Sequence, residues 1–262
     1  MTTLAAPHPQ VSIAELISQL DQLSQGEPSS LAFDGDGTLW SGDVSDDVFT
    51  TACRANWFLD AIRPLVTSIA REHGIEGDGT IGEFLLRLFQ SEKQGALDEQ
   101  RLFEIMTWCY AGRSIEEVSG YAARTLAENG LESRLRWQYR PLLDWARSHG
   151  HSCWLVTASP WPIVRVAGNR LGFSDDEIIA ACPNLSEAGV VEAGMRAPVP
   201  YREQKVIQLN ARRKQPRLLA AFGDSQFDLN LLAAAELPVA VTPKPALSSR
   251  LASLEKAVVL ML

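Results

Sequence analysis

The sequence predicts an α/β protein with a doubly wound parallel sheet that is interrupted by a helical lobe. After about residue 150, short apolar runs alternate with helical patterns, which is typical of a parallel sheet with helices on both faces. Residues 45–149, in contrast, show almost only helical patterns. We therefore expect a core built from residues 10–44 and 150–262, with residues 45–149 inserted as a helical cap.

The elements follow in order along the chain. Residues 1–10 are predicted to form a loose tail, and residues 11–23 place their apolar side chains on one helical face. The apolar run at 30–33 predicts a buried strand that ends at Asp34. Beyond residue 150 we expect strands over 152–157, 177–181, 218–222, 237–241 and 257–262, and helices over 160–171, 202–213 and 228–235.

Composition narrows the class of protein. The net charge is −8, and the densest basic run, at 210–217, is better explained as a helix end than as a nucleic-acid footprint. The four cysteines are widely spaced, which predicts neither a zinc site nor a redox motif and suggests a reducing compartment. No apolar stretch approaches the roughly 18 residues of a spanning helix. We expect a cytoplasmic protein with no nucleic-acid or membrane partner, whose oligomeric state the sequence does not indicate.

The tetrapeptide Gly-Asp-Gly-Thr occurs twice. In the copy at 77–80, Asp78 or Thr80 is expected to cap the helix that follows. The copy at 35–38 lies at a predicted strand end, where Thr38 and Leu39 stand at the positions that a calcium loop would need for an acidic ligand and a glycine. What remains is a carboxylate pair, Asp34 and Asp36, in which one group can act as nucleophile while the other carries a proton.

Three later segments carry further polar groups. Thr157 ends a strand, and Ser159 before Pro160 resembles an N-cap, which is either a phosphate-binding helix start or an ordinary strand-turn-helix. Lys205 lies early in a helix and either faces solvent or pairs with a phosphate oxygen. Asp224 ends a strand, whereas Asp228 completes a Ser-x-x-Asp capping box. Oxygen ligands from Asp34, Asp36 and Asp224 would suit Mg²⁺.

In this order, the four segments resemble the motif series of the haloacid dehalogenase superfamily, and the second aspartate resembles its phosphohydrolase branch. The helical lobe lies between the first two motifs, as in the phosphoserine phosphatase-like group. The resemblance implies a Rossmann-like core with a cap that closes over the site.

The resemblance also implies a role for each motif residue. Asp34 would form an aspartyl-phosphate, Asp36 would serve as general acid and then base, and Thr157 and Lys205 would hold the phosphoryl group. Magnesium would be bound by Asp34, the backbone carbonyl of Asp36 and Asp224, with support from Asp228. Phosphoryl transfer depends on this kind of positioning and charge neutralisation.

The substrate is predicted less sharply. In the phosphoserine phosphatase-like group, an acidic residue nine positions after the nucleophile meets the substrate amine, and here that position is Asp43. Asp43 is therefore either a substrate ligand, together with Ser159, or a hinge or helix cap. Residues 157–159 depart from that group's usual Ser-Gly-Gly, which puts serine phosphate in doubt. Trp40 and Trp161 form either an aromatic box for a quaternary ammonium or part of the core.

Three functions follow from these patterns. The first is a Mg²⁺-dependent phosphatase for a small phosphomonoester, such as phosphoserine or a phospho-amino-alcohol. The second is a phosphotransferase or phosphomutase of the same superfamily, and the third is a non-catalytic module that binds a phosphorylated ligand. A substrate carboxylate would be met from the cap by an arginine among Arg54, Arg87 and Arg101.

Overall fold

The computed structural model describes residues 8–262. Its strands are β1 (Gln10–Val11), β2 (Ser30–Phe33), β3 (Ser152–Pro160), β4 (Ile178–Ala181), β5 (Pro183–Leu185), β6 (Val191–Met195), β7 (Leu218–Gly223), β8 (Leu237–Val241) and β9 (Val258–Leu260). Seven of them form one parallel sheet in the order β1-β9-β8-β7-β2-β3-β4, while β5 and β6 form an antiparallel hairpin. The predicted α/β class and Rossmann-like parallel sheet are confirmed.

Helices make up most of the rest of the described chain. They are α1 (Ile13–Ser24), α2 (Val44–Arg54), α3 (Arg63–Glu72), α4 (Ile81–Lys93), α5 (Glu99–Trp108), α6 (Ile115–Glu128), α7 (Leu131–Arg134), α8 (Arg140–Ser148), α9 (Trp161–Arg170), α10 (Glu203–Arg212), α11 (Leu229–Ala233) and α12 (Pro245–Ser248). No helix of residues 8–262 has both the length and the apolar content needed to cross a membrane.

The sheet centre is apolar on both faces. Every residue of β2 is buried, and Phe33 pairs in register with Leu155 of β3 and Phe222 of β7. The Phe33 and Phe222 rings stack with centroids 4.3 Å apart, and Tyr139 meets Phe33 edge-on at 5.7 Å. Strands that are buried on both faces need helical layers above and below them. Because β7, β2 and β3 are neighbours and run parallel, their carboxyl ends lie side by side at one edge of the sheet.

The segment predicted to form the cap packs closely against the core. Helix α5 contacts β3, and α6 contacts α9, so one buried apolar cluster extends from the inserted helices into the sheet. Helix α8 also lies within the predicted cap range, but it contacts α1 and β3. The division into core and cap stays a prediction, and the contacts of α8 favour a cap that ends before that helix.

Two chain segments cross between the sheet and the inserted helices, and they are bonded to each other. The Ser41 amide donates to the Arg134 carbonyl at 3.0 Å, and the Arg136 amide donates to the Leu39 carbonyl at 3.0 Å. The Arg134 guanidinium donates to the Ser41 carbonyl at 2.8 Å and also pairs with Asp47 of α2. We call residues 39–43 and 134–136 the crossing segments.

Several local predictions are changed by the structure. Residues 1–7 of the predicted tail lie outside the described residues, while Gln10 of that tail and Val11 of the predicted helical segment pair with β9. The β5–β6 hairpin was not predicted. Strand β3 runs past Thr157 to Pro160, which pairs with Ala181 after a bulge, so the predicted N-cap at Ser159 is wrong. The N-cap position of α9 is Pro160.

Two other local predictions are confirmed. Thr80 caps α4 through a capping box with Glu83, so the second Gly-Asp-Gly-Thr copy is a helix start. The basic run at 210–217 includes the end of α10, where Arg212 donates to the backbone carbonyls of Ile178 and Asp176. All four cysteines are free thiols.

Candidate active site

Adjacent parallel strands bring the predicted site residues to one cavity. Asp34 follows β2, Thr157 lies in β3, and Asp224 follows β7. Because these strands are neighbours and run in the same direction, their carboxyl ends meet at the same edge. All of the predicted site residues except Asp228 line this cavity: Asp34, Asp36, Asp43, Thr157, Ser159, Lys205 and Asp224.

A buried lysine joins two of the motif aspartates. Lys205, which is 3% exposed, donates from Nζ to Asp34 Oδ1 at 2.7 Å and to Asp228 Oδ1 at 2.5 Å. Burial, followed by repulsion from Asp228, raises the pKa of Asp34, and Lys205 opposes this rise. Burial is the largest single effect on Lys205 and lowers its pKa. The effects of Asp228 and Asp34 together outweigh burial, so the pKa of Lys205 is raised overall. Lys205 thus faces the site and not solvent.

Asp36 is held in place by three donors. Its Oδ1 accepts from Trp40 Nε1 at 2.7 Å and from the Val44 amide at 2.8 Å, and its Oδ2 is bonded to the Ser159 hydroxyl at 2.7 Å. Burial raises the pKa of Asp36, while these hydrogen bonds lower it. The side chain is therefore fixed in orientation, and any contribution of Asp36 to a metal would come from its backbone carbonyl.

Asp224 is approached closely by the loop that carries Asp36. A Cβ built on Gly37, whose φ is +84°, would lie 2.0 Å from Asp224 Oδ2, so only glycine fits there. On its other side, Asp224 Oδ2 pairs with Lys244 Nζ at 2.9 Å, and its backbone carbonyl accepts from the Lys244 amide. Burial raises the pKa of Asp224, and Lys244 opposes this rise.

The acidic cluster has the composition of a site for a hard cation. Carboxylate oxygens of Asp34, Asp224 and Asp228 lie within 4.8 Å of one another. Asp228 has little capacity left, because its Oδ2 accepts from the Asp224 amide, the Ser225 amide and the Ser225 hydroxyl. Its position therefore supports the other two carboxylates, and it also forms the predicted capping box with Ser225.

Thr157 and Ser159 lie in the irregular last part of β3, where the register with β4 shifts. Thr157 is 2% exposed, and its hydroxyl accepts from the Ser159 amide at 3.2 Å. Both residues line the cavity. Ser159 was predicted to contact substrate, and in this structure its hydroxyl is bonded to Asp36.

Asp43 caps a helix and also lines the cavity. Its Oδ1 accepts from the Ser45 and Asp46 amides at 2.8 Å, which makes it the N-cap of α2. It also lines the cavity. Burial, followed by repulsion from Asp36 and Asp46, raises its pKa well above the usual value.

Seven other residues line the cavity and were not among the predicted site residues: Glu99, Phe103, Ala158, Tyr201, Ser225, Phe227 and Lys244. The Tyr201 hydroxyl donates to Glu99 Oε2 at 2.7 Å, which links the residues just before α10 to the start of α5. Glu99, Phe103 and Tyr201 belong to no motif, because they come together only through the packing of α5 against the sheet edge. Phe227 was within reach of sequence analysis, since it lies inside the Gly-Asp-Ser-x-x-Asp segment.

Other predicted substrate contacts are not found at the cavity. Trp40 is fully buried, so this residue belongs to the core and cannot form one wall of an aromatic box. Among the described residues that line the cavity there is neither Trp161 nor any of Arg54, Arg87 and Arg101. Arg87 pairs with Asp78, and Arg101 pairs with Glu104.

A parallel sheet with aspartates at neighbouring strand ends and an inserted helical segment is the architecture of the haloacid dehalogenase superfamily. The model of the family "haloacid dehalogenase-like hydrolase" matches residues 31–233, and the chain belongs to this family. No curated protein matches the sequence.

Solved structures agree with this fold. A protein of unknown function from Bordetella pertussis Tohama I is 20% identical with a TM-score of 0.68, covering 88% of this chain and 98% of that one. A functionally unknown protein from Anaerococcus prevotii is 14% identical with a TM-score of 0.66, covering 97% and 91%. A probable phosphoserine phosphatase from Vibrio cholerae is 17% identical with a TM-score of 0.57, covering 89% and 61%.

Proposed function

We propose that the protein is a Mg²⁺-dependent phosphatase that hydrolyses a small phosphomonoester through an aspartyl-phosphate on Asp34. The observation that carries this proposal is the convergence of Asp34, Thr157, Lys205 and Asp224 on one cavity. Phosphoryl transfer needs a nucleophile in line with the leaving group and positive charge beside the phosphoryl oxygens. The structural neighbour from Vibrio cholerae, a probable phosphoserine phosphatase, agrees with phosphatase chemistry.

In the first step, an oxygen of Asp34 attacks phosphorus and the ester bond to the leaving alcohol breaks. Lys205 contacts Oδ1 of Asp34, so Oδ2, which has no hydrogen bond within residues 8–262, is the better placed nucleophile. Asp36 gives its proton to the departing oxygen, and the burial that raises its pKa helps it to hold this proton. The Thr157 hydroxyl and the Lys205 ammonium bind oxygens of the phosphoryl group.

In the second step, water attacks the phosphorus of the aspartyl-phosphate. Asp36, now ionised, takes a proton from this water, and the bond between phosphorus and the Asp34 oxygen breaks to release phosphate. Trp40, the Val44 amide and Ser159 keep the Asp36 carboxyl oriented through both steps. Orientation of this kind contributes because a general acid must lie within hydrogen-bond reach of the proton's destination.

The carboxylates fit a magnesium ion. The carboxylates of Asp34, Asp224 and Asp228 face two ammonium groups, those of Lys205 and Lys244, and a divalent cation would offset the negative charge that remains. Asp34, Asp224 and the backbone carbonyl of Asp36 would hold the ion, and oxygen donors are what Mg²⁺ prefers. Bound there, it would offset the developing charge on the phosphoryl oxygens.

The proposal is tested with purified protein and para-nitrophenyl phosphate. We expect Asp34→Asn to lower kcat by at least about a thousandfold, because an amide cannot form the aspartyl-phosphate. The matched control is Asp78→Asn in the second Gly-Asp-Gly-Thr copy, whose side chain is 98% exposed, and this variant should retain full activity.

Two further readouts complete the test. Exhaustive chelation should abolish turnover, and added Mg²⁺ should restore it. Product analysis with an acceptor alcohol present separates hydrolysis from transfer. Full turnover by Asp34→Asn would refute the nucleophile, and chelator-resistant turnover would refute the metal.

A further inference from the structure

The cavity contains a second group of residues beside those assigned to phosphoryl transfer. Asp43, Glu99 and the rings of Phe103, Tyr201 and Phe227 line it. We propose that these residues form a subsite for a positively charged leaving alcohol without a carboxylate, so that the substrate is the phosphoester of an amino alcohol. This inference rests on the proposed phosphatase function and specifies its substrate class.

The first support is that two carboxyl groups of the cavity have no basic partner within residues 8–262. Glu99 begins α5, and its Oε2 accepts from the Tyr201 hydroxyl. Asp43 accepts two backbone amides through Oδ1. Within residues 8–262, neither carboxylate forms an ion pair, whereas Asp34, Asp224 and Asp228 each pair with a lysine. Carboxylates without a counter-ion in a recessed cavity favour a cationic ligand.

The second support is an independent one, the aromatic wall. The Tyr201 ring lies 6.2 Å from that of Phe103 and 5.1 Å from that of Phe227, measured between centroids. The Arg202 guanidinium carbon lies 5.0 and 5.5 Å from the centroids of Tyr201 and Phe227, although Arg202 lines a neighbouring depression. Ring faces attract cations, and most strongly an ammonium that has lost part of its water.

The third support concerns what the subsite excludes. Lys205 and Lys244 are the lysines that line the cavity, and each of them already contacts a carboxylate. Arg101, on the same helix as Glu99, pairs with Glu104. A substrate carboxylate would therefore lie near Glu99 and Asp43 in a cavity whose two lining lysines are already paired, and like charges that are brought together disfavour binding.

Two matched substrate pairs test the subsite. Phosphocholine is compared with its uncharged isostere, in which a quaternary carbon replaces the nitrogen, and we expect kcat/KM to be at least about tenfold higher for the cation. Phosphoethanolamine is compared with phosphoserine, which adds only a carboxylate, and the former should be preferred by at least about tenfold. Equal rates in the first pair, or preference for phosphoserine in the second, would overturn the proposal.

A conservative variant connects the preference to Glu99. Glu99→Gln keeps an acceptor for the Tyr201 hydroxyl but removes the charge, so the ratio of kcat/KM between phosphocholine and its isostere should fall by about tenfold. Glu116→Gln, at an exposed position in the first turn of α6, is the matched control and should leave this ratio unchanged. An unchanged ratio in Glu99→Gln would contradict the role of Glu99.

Binding measurements distinguish the failure of this inference from that of the phosphatase proposal. Calorimetric titration of Asp34→Asn with phosphocholine and with its isostere needs no turnover. If the cation binds at least about tenfold more tightly, the subsite is supported even where no ester is hydrolysed. If both esters are hydrolysed but bind equally, the phosphatase proposal stands and the subsite is refuted.

Discussion

At the scale of single residues, the site depends on how closely its acidic loops approach each other. Gly37 has a left-handed backbone, and the place where its Cβ would lie is filled by Asp224. Asp228 accepts from Lys205 through Oδ1 and from the Asp224 amide through Oδ2. These contacts limit where the Asp224 carboxylate can lie, so adding one methyl group at position 37 should affect the proposed metal site.

We expect Gly37→Ala to weaken magnesium activation. The added methyl group would displace the Asp224 carboxylate, so the Mg²⁺ concentration for half-maximal activity should rise by about tenfold or more, which is the cost of a misplaced ligand. Activity is measured against Mg²⁺ concentration. Gly74→Ala is the control, because Gly74 has a similar φ of +66° and nothing within 4 Å of the added Cβ.

Both glycine variants should lose about 1 kcal/mol of unfolding free energy from the left-handed backbone. Only Gly37→Ala should change the magnesium dependence. An equal change in both variants would show that backbone strain, and not Asp224, is responsible.

At the scale of elements, the sequence predicted those strands and helices that have a regular apolar pattern or end in a motif residue. The central strands were evident because they are short apolar runs, and the motif residues lie where those runs stop. The β5–β6 hairpin escaped prediction because its exposed strands lack an apolar run, although Gly189 with φ +73° marks its turn. Glu99 and Tyr201 escaped because contacts across 102 positions leave no local pattern.

The crossing segments connect the sheet to the inserted helices. We expect Arg134→Gln to lower the unfolding free energy by about 2 kcal/mol, because the half-buried guanidinium loses Asp47 and the Ser41 carbonyl. Urea denaturation measures this loss. Arg170→Gln is the control, since its pair with Glu132 is about 60% exposed on both sides, and it should cost less than about 0.5 kcal/mol. Equal losses would show that the crossing segments do not depend on Arg134.

At the scale of the whole molecule, one large apolar cluster extends from the sheet into the inserted helices. The edge opposite the site carries His151, which is 4% exposed. Its Nδ1 accepts from the Ser29 amide at 3.0 Å, so this nitrogen carries no proton in the folded state. Burial lowers the pKa of His151 below its ordinary value of 6.5.

This histidine should make stability depend on pH. Since its pKa is lower in the folded state, the unfolded chain binds more protons below about pH 6.5, and stability is lost as the pH falls through the lowered pKa. His151→Asn, which keeps an acceptor for Ser29, should show a smaller loss of unfolding free energy between pH 7 and 5. His73→Asn, at the C-cap of α3, should behave like the parent protein. A parent-like loss in His151→Asn would refute this origin.

The central claim is that Asp34 carries the phosphoryl group during turnover, and direct trapping tests it best. In Asp36→Asn, para-nitrophenyl phosphate should still phosphorylate Asp34, because its leaving group needs no proton, while hydrolysis of the intermediate should be slowed. Borohydride reduction of the quenched protein, followed by peptide mass spectrometry, would then find the alcohol derived from an acyl phosphate at position 34. Modification of another residue, or turnover with no trapped acyl phosphate, would contradict the account.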